Sequence, residues 1–434
     1  MKRFNLITLQ ALATAGLLLF ASCNDDDSVV PGTSTNLLSS NVDALGDVDL
    51  GGFVVPSDFP ETNAVAGDHS LAPSAYNGQV TRRAQLNELI SYSKDEPITF
   101  DLKAALADGS LFVTSGANST STNIRTKIDE LNFDSGDQSV AESFDRLADS
   151  LQMSSQNFNT IASNGVAGMI TTGTTRRHVS ANGLEYAQIL EKGLFGPLFY
   201  NQMVDDYLRP VQAGADNPNR NNSGQAGSDF ASEGTGRQHA WDEAFGYFGA
   251  DPATYPNPAA TSDGDGEFIA NYTFDFSDET ETAFGVNIAQ KCMDAFIFGR
   301  SVLKAGEGFT ASDENVNETY YEAARQDVKL YAEAGIAAAA FHYLNLSIDD
   351  VTDEDRLHHL SEALGFMYAL AFNSEGKIST TEVYNALEEL GWPTSNSTLD
   401  GIYEINLWEV TDAQMEAARV SLAASFPGFE NVPF

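Results

Sequence analysis

The longest helical pattern in the chain is residues 317–345, NETYYEAARQDVKLYAEAGIAAAAFHYLN. Apolar residues recur in it at spacings of three and four, which is the period of one face of an α-helix. Eight further stretches show the same spacing, and convincing β-type alternation is scarce. These stretches are residues 79–94, 139–163, 181–208, 237–249, 284–305, 354–372, 380–390 and 411–425. The sequence therefore predicts an all-α fold.

Polar loops interrupt this pattern and suggest how the chain is divided. They lie at about 109–125, 209–236 and 250–283. The third loop is near the middle of the helical body, so we expect a first helical bundle over 76–250 and a second over 284–434. The connecting loop is then 251–283, and loops of such length are usually functional or disordered.

The two predicted bundles contain similar segments. HAWDEAFGYF at 239–248 can be aligned with HHLSEALGFM at 358–367, and the His, Glu, Ala and Gly positions coincide. The large apolar positions also match in kind. A duplicated helical bundle is the simplest explanation, so the sequence predicts two bundles related by internal duplication.

The N-terminus has the pattern of a lipoprotein signal peptide. Lys2 and Arg3 precede an apolar run over residues 6–20, and small residues lie directly before Cys23. The run is too short to span a bilayer stably. We expect residues 1–22 to be removed and Cys23 to carry the lipid anchor of an outer-membrane lipoprotein. The alternative is an ordinary secretory peptide with an incidental cysteine.

A polar, proline- and glycine-containing segment follows, and residues 23–75 are interpreted as a lipidated tether with an extended lead-in. Asp25, Asp26 and Asp27 directly follow the predicted cleavage site. They resemble the acidic export signal that sends some Gram-negative lipoproteins to the cell surface. A solvated linker start is the alternative, so periplasmic and surface exposure both stay open.

Charge and cysteine content restrict the function. The chain has 62 acidic and 23 basic residues and a formal net charge of -39, so it repels phosphate backbones and nucleic-acid binding is excluded. With Cys23 lipidated, Cys292 is the remaining cysteine and cannot form an internal disulfide. The helical body must hold together by burial of its apolar core.

Both similar segments carry histidine and carboxylate side chains on one helix face. Residues three and four apart share a face, which groups two sets of candidate ligands. The sets are His239, Asp242 and Glu243, and His358, His359 and Glu362. Facing helices that supply such groups form the metal sites of some bundles, and the donor types suit iron or another divalent cation. The alternative is that these histidine–carboxylate pairs only stabilise helices. This alternative is favoured for both sets, and more strongly for His358, His359 and Glu362, because two adjacent histidines do not share a face.

Mid-helix glycines accompany both sets, at Gly246 and Gly365. Glycine costs about 1 kcal/mol relative to alanine inside a helix. Their presence indicates either close approach of another helix or room for a ligand.

Several segments resemble known families. His239 to Asp242 is similar to the Gly-x-His-x-x-Glu signature of imelysin-like proteins, with Gly236 one place too early and Asp242 in the acidic position. Other segments are more similar to an uncharacterised Gram-negative lipoprotein domain family that itself resembles imelysin. They are residues 76–82, 163–168, 182–188 and 241–249. The resemblance implies two helical bundles, a role in iron or haem uptake, and an imelysin or a TonB-dependent receptor as partner.

These observations favour a non-enzymatic lipoprotein that binds a metal or metal complex, or that docks to an uptake receptor. A metal-dependent hydrolase is the first alternative. Neither segment has the His-Glu-x-x-His pattern of zinc peptidases, since each has one His paired with one acid at i+4. A purely structural interaction protein is the second alternative.

Overall fold

A computed structural model of the chain describes residues 37–46, 48, 76–129, 131, 139–208, 236–250, 266–305 and 311–434. The predicted signal peptide, Cys23 and the Asp25 to Asp27 run lie outside these residues. Within the described ranges, none of the helices combines the length and the hydropathy needed to cross a bilayer.

The described residues are mainly helical, which confirms the predicted all-α fold. The helices are α1 (Asn77–Tyr92), α2 (Leu102–Ala107), α3 (Arg125–Ile128), α4 (Val140–Ser155), α5 (Tyr186–Gly193), α6 (Gly236–Phe248), α7 (Ile269–Asp275), α8 (Ser277–Phe284), α9 (Ile288–Ala305), α10 (Ala311–Asp349), α11 (Asp353–Ala369), α12 (Thr380–Glu389) and α13 (Asp412–Ala423). Two π-helical segments, Phe195–Tyr200 and Gln202–Tyr207, follow α5.

Helix α10 is the centre of the fold. Its 39 residues extend the predicted 317–345 pattern at both ends, and the alanines and Phe341 over residues 337–341 are fully buried. The apolar residues 337–341 are buried on every side of the helix, so this part of α10 needs neighbours on all sides. Helices α7, α9, α11 and α13 supply them, so α10 forms the scaffold on which the others are positioned.

The helical pattern differs from the sequence prediction in two places. The interval 251–283 was predicted as a loop, and this is wrong for its second half, which forms α7 and most of α8. Helix α7 packs on α10 where Gly335 lets Thr273 approach the backbone closely. A two-stranded antiparallel hairpin, β1 (Gly168–Thr172) and β2 (Thr175–Val179), interrupts the helices. The helices α7 and α8 and the two strands of the hairpin are all short, so tertiary packing rather than a long periodic pattern stabilises them.

Helices from the two predicted bundles pack against each other. Helix α11 lies along α5, and α9 packs against α6. The described residues from Leu37 to Phe434 form one compact unit. The internal duplication and the division at 251–283 remain predictions from the sequence.

Residues 37–46 lie within the predicted tether, yet they are docked on α10. The buried carboxylate of Asp327 accepts hydrogen bonds from the Ser40 hydroxyl at 2.7 Å and from the backbone N–H groups of Asn41 and Val42 at 2.7 and 2.9 Å. The Tyr331 hydroxyl donates to the Leu38 carbonyl at 3.2 Å. These bonds satisfy a buried charge, so this short segment belongs to the folded body.

Candidate metal centre

Helix α11 carries the second set of predicted ligands, and its start is well defined. The Thr352 side chain caps it by accepting from the Asp355 N–H at 3.1 Å. Three acidic residues, 353–355, occupy the first turn, where the helix dipole favours negative charge. From Leu357 onward most of the helix is buried against α5 and α10. Its side chains are therefore held on a rigid element.

Close contact between α5 and α11 depends on Gly365. A Cβ at this position would lie 2.6 Å from Lys192 Cβ and 3.2 Å from the Gly193 nitrogen. At Gly246 of α6, a Cβ would lie 2.7 Å from the Tyr76 ring. Of the two explanations offered by the sequence, close approach of a neighbouring element applies at both glycines.

His358, His359 and Glu362 come together on α11. Each offers a candidate ligand atom, and the three atoms lie within 4.8 Å of one another. His358 Nε2 is 3.3 Å from Glu362 Oε2. Both of these side chains are nearly buried, whereas the His359 side chain is 22% exposed and gives the group a side toward solvent. Adjacent residues point in different directions from a helix, but the imidazole rings of these two histidines still converge near Glu362.

Carboxylates from outside α11 hold both histidine rings. His358 Nδ1 is 2.8 Å from Glu185 Oε2, and His359 Nδ1 is 2.8 Å from Asp350 Oδ2. Glu185 directly precedes α5 and is itself paired with Arg177 at 3.2 Å. Asp350 lies in the short connection between α10 and α11. Each ring is thus held by a carboxylate from a different part of the chain.

Glu362 also has a second partner. Lys192 Nζ lies 3.8 Å from Glu362 Oε1, whereas His358 faces Oε2. Lys192 also pairs with Glu191. Burial raises the pKa of Glu362, and Lys192 and His358 oppose that rise. Burial alone would lower the pKa of Lys192, but Glu191, Tyr272 and Glu362 raise it well above its usual value. The lysine therefore stays charged and balances the buried acids.

The first set of predicted ligands has different partners. Asp242 is fully buried and forms an ion pair with Arg300, with 2.8 Å between Nε and Oδ1. Glu243 lies 3.4 Å from His239 Nε2 and accepts from Gln79 at 2.9 Å. Helix α6 packs on α1 and α9, whereas α11 packs on α5, α10 and α12.

The structure therefore divides the six predicted ligands. Among the described residues, the group whose ligand atoms lie within 4.8 Å consists of the three α11 side chains. His239, Asp242 and Glu243 are not part of it. The sequence placed both sets at one site, whereas the structure assembles the candidate centre from α11.

Sequence reasoning missed three side chains of this centre: Glu185, Lys192 and Asp350. Glu185 is 3% exposed. Its partner His358 lies 173 residues away in the chain, so no local pattern could reveal the contact. Asp350 was within reach of sequence analysis, because it lies nine residues before His359 across a short helix connection.

Comparison with known proteins gives one match. A family model described as a domain of unknown function (DUF4856) matches residues 68–427. No curated protein and no solved structure matches the chain. The matched region covers most of the 434 residues and includes all six predicted ligands. The chain belongs to the family described as domain of unknown function DUF4856.

Proposed function

We propose that this protein is an envelope-anchored lipoprotein that binds a divalent metal ion, alone or within a complex, and that it does not act as an enzyme. The observation that carries the proposal is the convergence of His358, His359 and Glu362 within 4.8 Å on one rigid helix. Two imidazoles and one carboxylate are ligands of iron, zinc and related ions. Three protein ligands also leave positions open for a bound complex.

The cellular role is inferred from the sequence. The lipoprotein-type N-terminus supports attachment to the outer membrane, and the resemblance to imelysin-like proteins supports a part in iron or haem uptake. The same resemblance supports a TonB-dependent receptor or an imelysin as the partner. The strongly acidic surface favours accumulation of cations near the protein.

A metal-dependent hydrolase is the second candidate, because catalytic zinc sites also use three protein ligands and an open position. A purely structural role is the third. It is favoured by the contacts of His358, whose two ring nitrogens already lie 2.8 and 3.3 Å from carboxylate oxygens.

Calorimetry on the full-length protein in detergent distinguishes binding from a structural role. We expect Zn²⁺, and Fe²⁺ without oxygen, to bind at one site per chain. His359→Ala should weaken binding at least about tenfold, as expected when a ligand is removed from a three-ligand site. His239→Ala removes a histidine from α6 and is the matched control, with wild-type binding. Absence of metal-dependent heat in the wild type would contradict the proposal.

The enzymatic alternative has its own test. Unfolded protein substrates are incubated with the full-length protein, with and without a chelator. We expect no cleavage in either case. Chelator-sensitive cleavage that disappears in His359→Ala would show that the centre is catalytic.

Attachment and exposure are tested in cells. We expect Cys23→Ala to release the protein from the membrane fraction. Protease treatment of intact cells then reports surface exposure, and replacement of Asp25, Asp26 and Asp27 by alanine should protect a surface-exposed protein. Membrane retention of Cys23→Ala would refute the lipid anchor.

A further inference from the structure

Each histidine of the candidate metal centre is held at the same ring atom. Nδ1 of His358 and Nδ1 of His359 both lie 2.8 Å from a carboxylate oxygen, contributed by Glu185 and Asp350 respectively. One acid lies directly before α5 and the other in the connection between α10 and α11, so neither belongs to α11. The two arrangements are therefore equivalent in chemistry although they are built independently.

This contact determines which nitrogen is available for a ligand. An ionised carboxylate can only accept a hydrogen bond, so the ring must donate through Nδ1–H. In a neutral imidazole the other nitrogen, Nε2, then carries the free lone pair. Metal-bound histidines commonly have this second partner, which fixes the tautomer and makes the ring a better donor.

We propose that Glu185 and Asp350 are positioning residues that present His358 and His359 as Nε2 ligands to a first-row divalent transition-metal ion. This inference rests on the proposed function, because it concerns the same centre. It adds the class of ion and two residues that do not touch the ion themselves.

Glu362 is also oriented by neighbouring side chains. Its Oε2 faces His358 at 3.3 Å, and its Oε1 faces Lys192 at 3.8 Å. One oxygen is thus engaged by a buried cation, which leaves the other as a single-oxygen ligand. All three donors of the centre have a partner that orients them before an ion arrives, as precise binding requires.

The donor set also selects the ion. Two imidazole nitrogens and one carboxylate oxygen are the set used for Fe²⁺ and related first-row ions. Ca²⁺ takes six to eight oxygen ligands, and Mg²⁺ prefers oxygen ligands in octahedral geometry. Cys292, the cysteine in the described residues, is buried elsewhere against the Val328 carbonyl, so no thiolate draws softer ions to this centre.

The test is a titration of the full-length protein with Co²⁺, followed by visible absorption, and with Zn²⁺ in competition. The variants are Asp350→Ala and Glu185→Gln. Asp353→Asn removes one exposed charge from the first turn of α11 and is the matched control. We expect the two positioning variants to lose about 10- to 100-fold in affinity and Asp353→Asn to match the wild type.

A tautomer measurement separates positioning from a structural role. Long-range proton–nitrogen NMR spectra should show Nδ1–H for both rings in the metal-free protein. His359 should lose that signature in Asp350→Ala while circular dichroism shows an unchanged fold. Asp350 is partly exposed, so this variant tests the idea even where Glu185→Gln does not fold.

Three results would overturn the inference. Unchanged Co²⁺ affinity in both variants would refute positioning and leave the metal site standing. Displacement of Co²⁺ by Ca²⁺ as readily as by Zn²⁺ would refute the proposal that the centre prefers a first-row transition-metal ion. Absence of binding in the wild type would refute the proposed function together with this inference.

Discussion

The stability of this protein should fall as pH rises from 5 to 8, because of one buried acid on α10. Glu333 is almost completely buried, and its two oxygens accept from the Lys377 N–H at 2.8 Å and the Ile378 N–H at 3.2 Å. Burial raises the pKa of Glu333 to about 7, although these two hydrogen bonds and Lys329 oppose the rise. Loop residues thus enclose a carboxyl group that titrates near neutral pH.

The magnitude follows from the difference between the two pKa values. An exposed glutamate titrates at 4.5, and Glu333 in the folded protein at about 7. Each pKa unit corresponds to 1.36 kcal/mol, so the free energy of unfolding should change by about 3 kcal/mol. Below pH 4.5 both states are protonated and the contribution is complete. Between 4.5 and 7 the unfolded chain loses its proton first, so stability falls as pH rises.

The assay is urea unfolding at a series of pH values, followed by circular dichroism, for the wild type and Glu333→Gln. The amide does not titrate, so the difference in stability between the two proteins should shift by about 3 kcal/mol, mostly between pH 5 and 8. Glu354→Gln, at an exposed position on α11, is the matched control and should follow the wild type. Parallel pH profiles for the wild type and Glu333→Gln would refute the reasoning.

Three further substitutions test buried contacts in the helical body. Asp242→Ala removes the buried carboxylate that pairs with the Arg300 guanidinium, so urea unfolding should show a loss of about 3 to 5 kcal/mol. A loss below about 1 kcal/mol would contradict the importance of this buried ion pair. Asp327→Ala removes the acceptor that holds residues 37–46. Hydrogen exchange should accelerate in that segment and stay slow in α10, and unchanged protection there would contradict the docking. Gly365→Ala places a Cβ 2.6 Å from a neighbouring Cβ on α5 and should destabilise the protein by about 1 to 3 kcal/mol. A melting temperature equal to that of the wild type would contradict this close contact.

Long helices were predictable because their signal is local. The 317–345 pattern lies within α10, and the 237–249 pattern coincides with α6 (Gly236–Phe248) to within one residue at each end. Helices α7 and α8 were missed, since each has fewer than nine residues. Short helices depend on tertiary packing more than on their own periodicity.

The candidate centre was predictable only in part. Spacing within one helix pairs each histidine, His358 and His359, with Glu362, but it predicted that the two adjacent histidines would not share a face. The structure nevertheless brings all three together. Asp242 has the same spacing pattern but pairs with Arg300, 58 residues later in the chain. No local pattern distinguishes a carboxylate that meets a guanidinium from one that is available to an ion.

The sequence by itself determined the helical class of the described body, its strong negative charge and the three side chains on α11 that offer ligand atoms. These properties depend on residues that are neighbours in the chain or on composition alone. Tertiary structure decided which carboxylates contact Nδ1 of the two histidines. It also decided that Lys192 lies beside Glu362 and that residues 37–46 dock on Asp327. Each of these depends on contacts that no local spacing encodes, because folding sets the distance between residues that are remote in the chain.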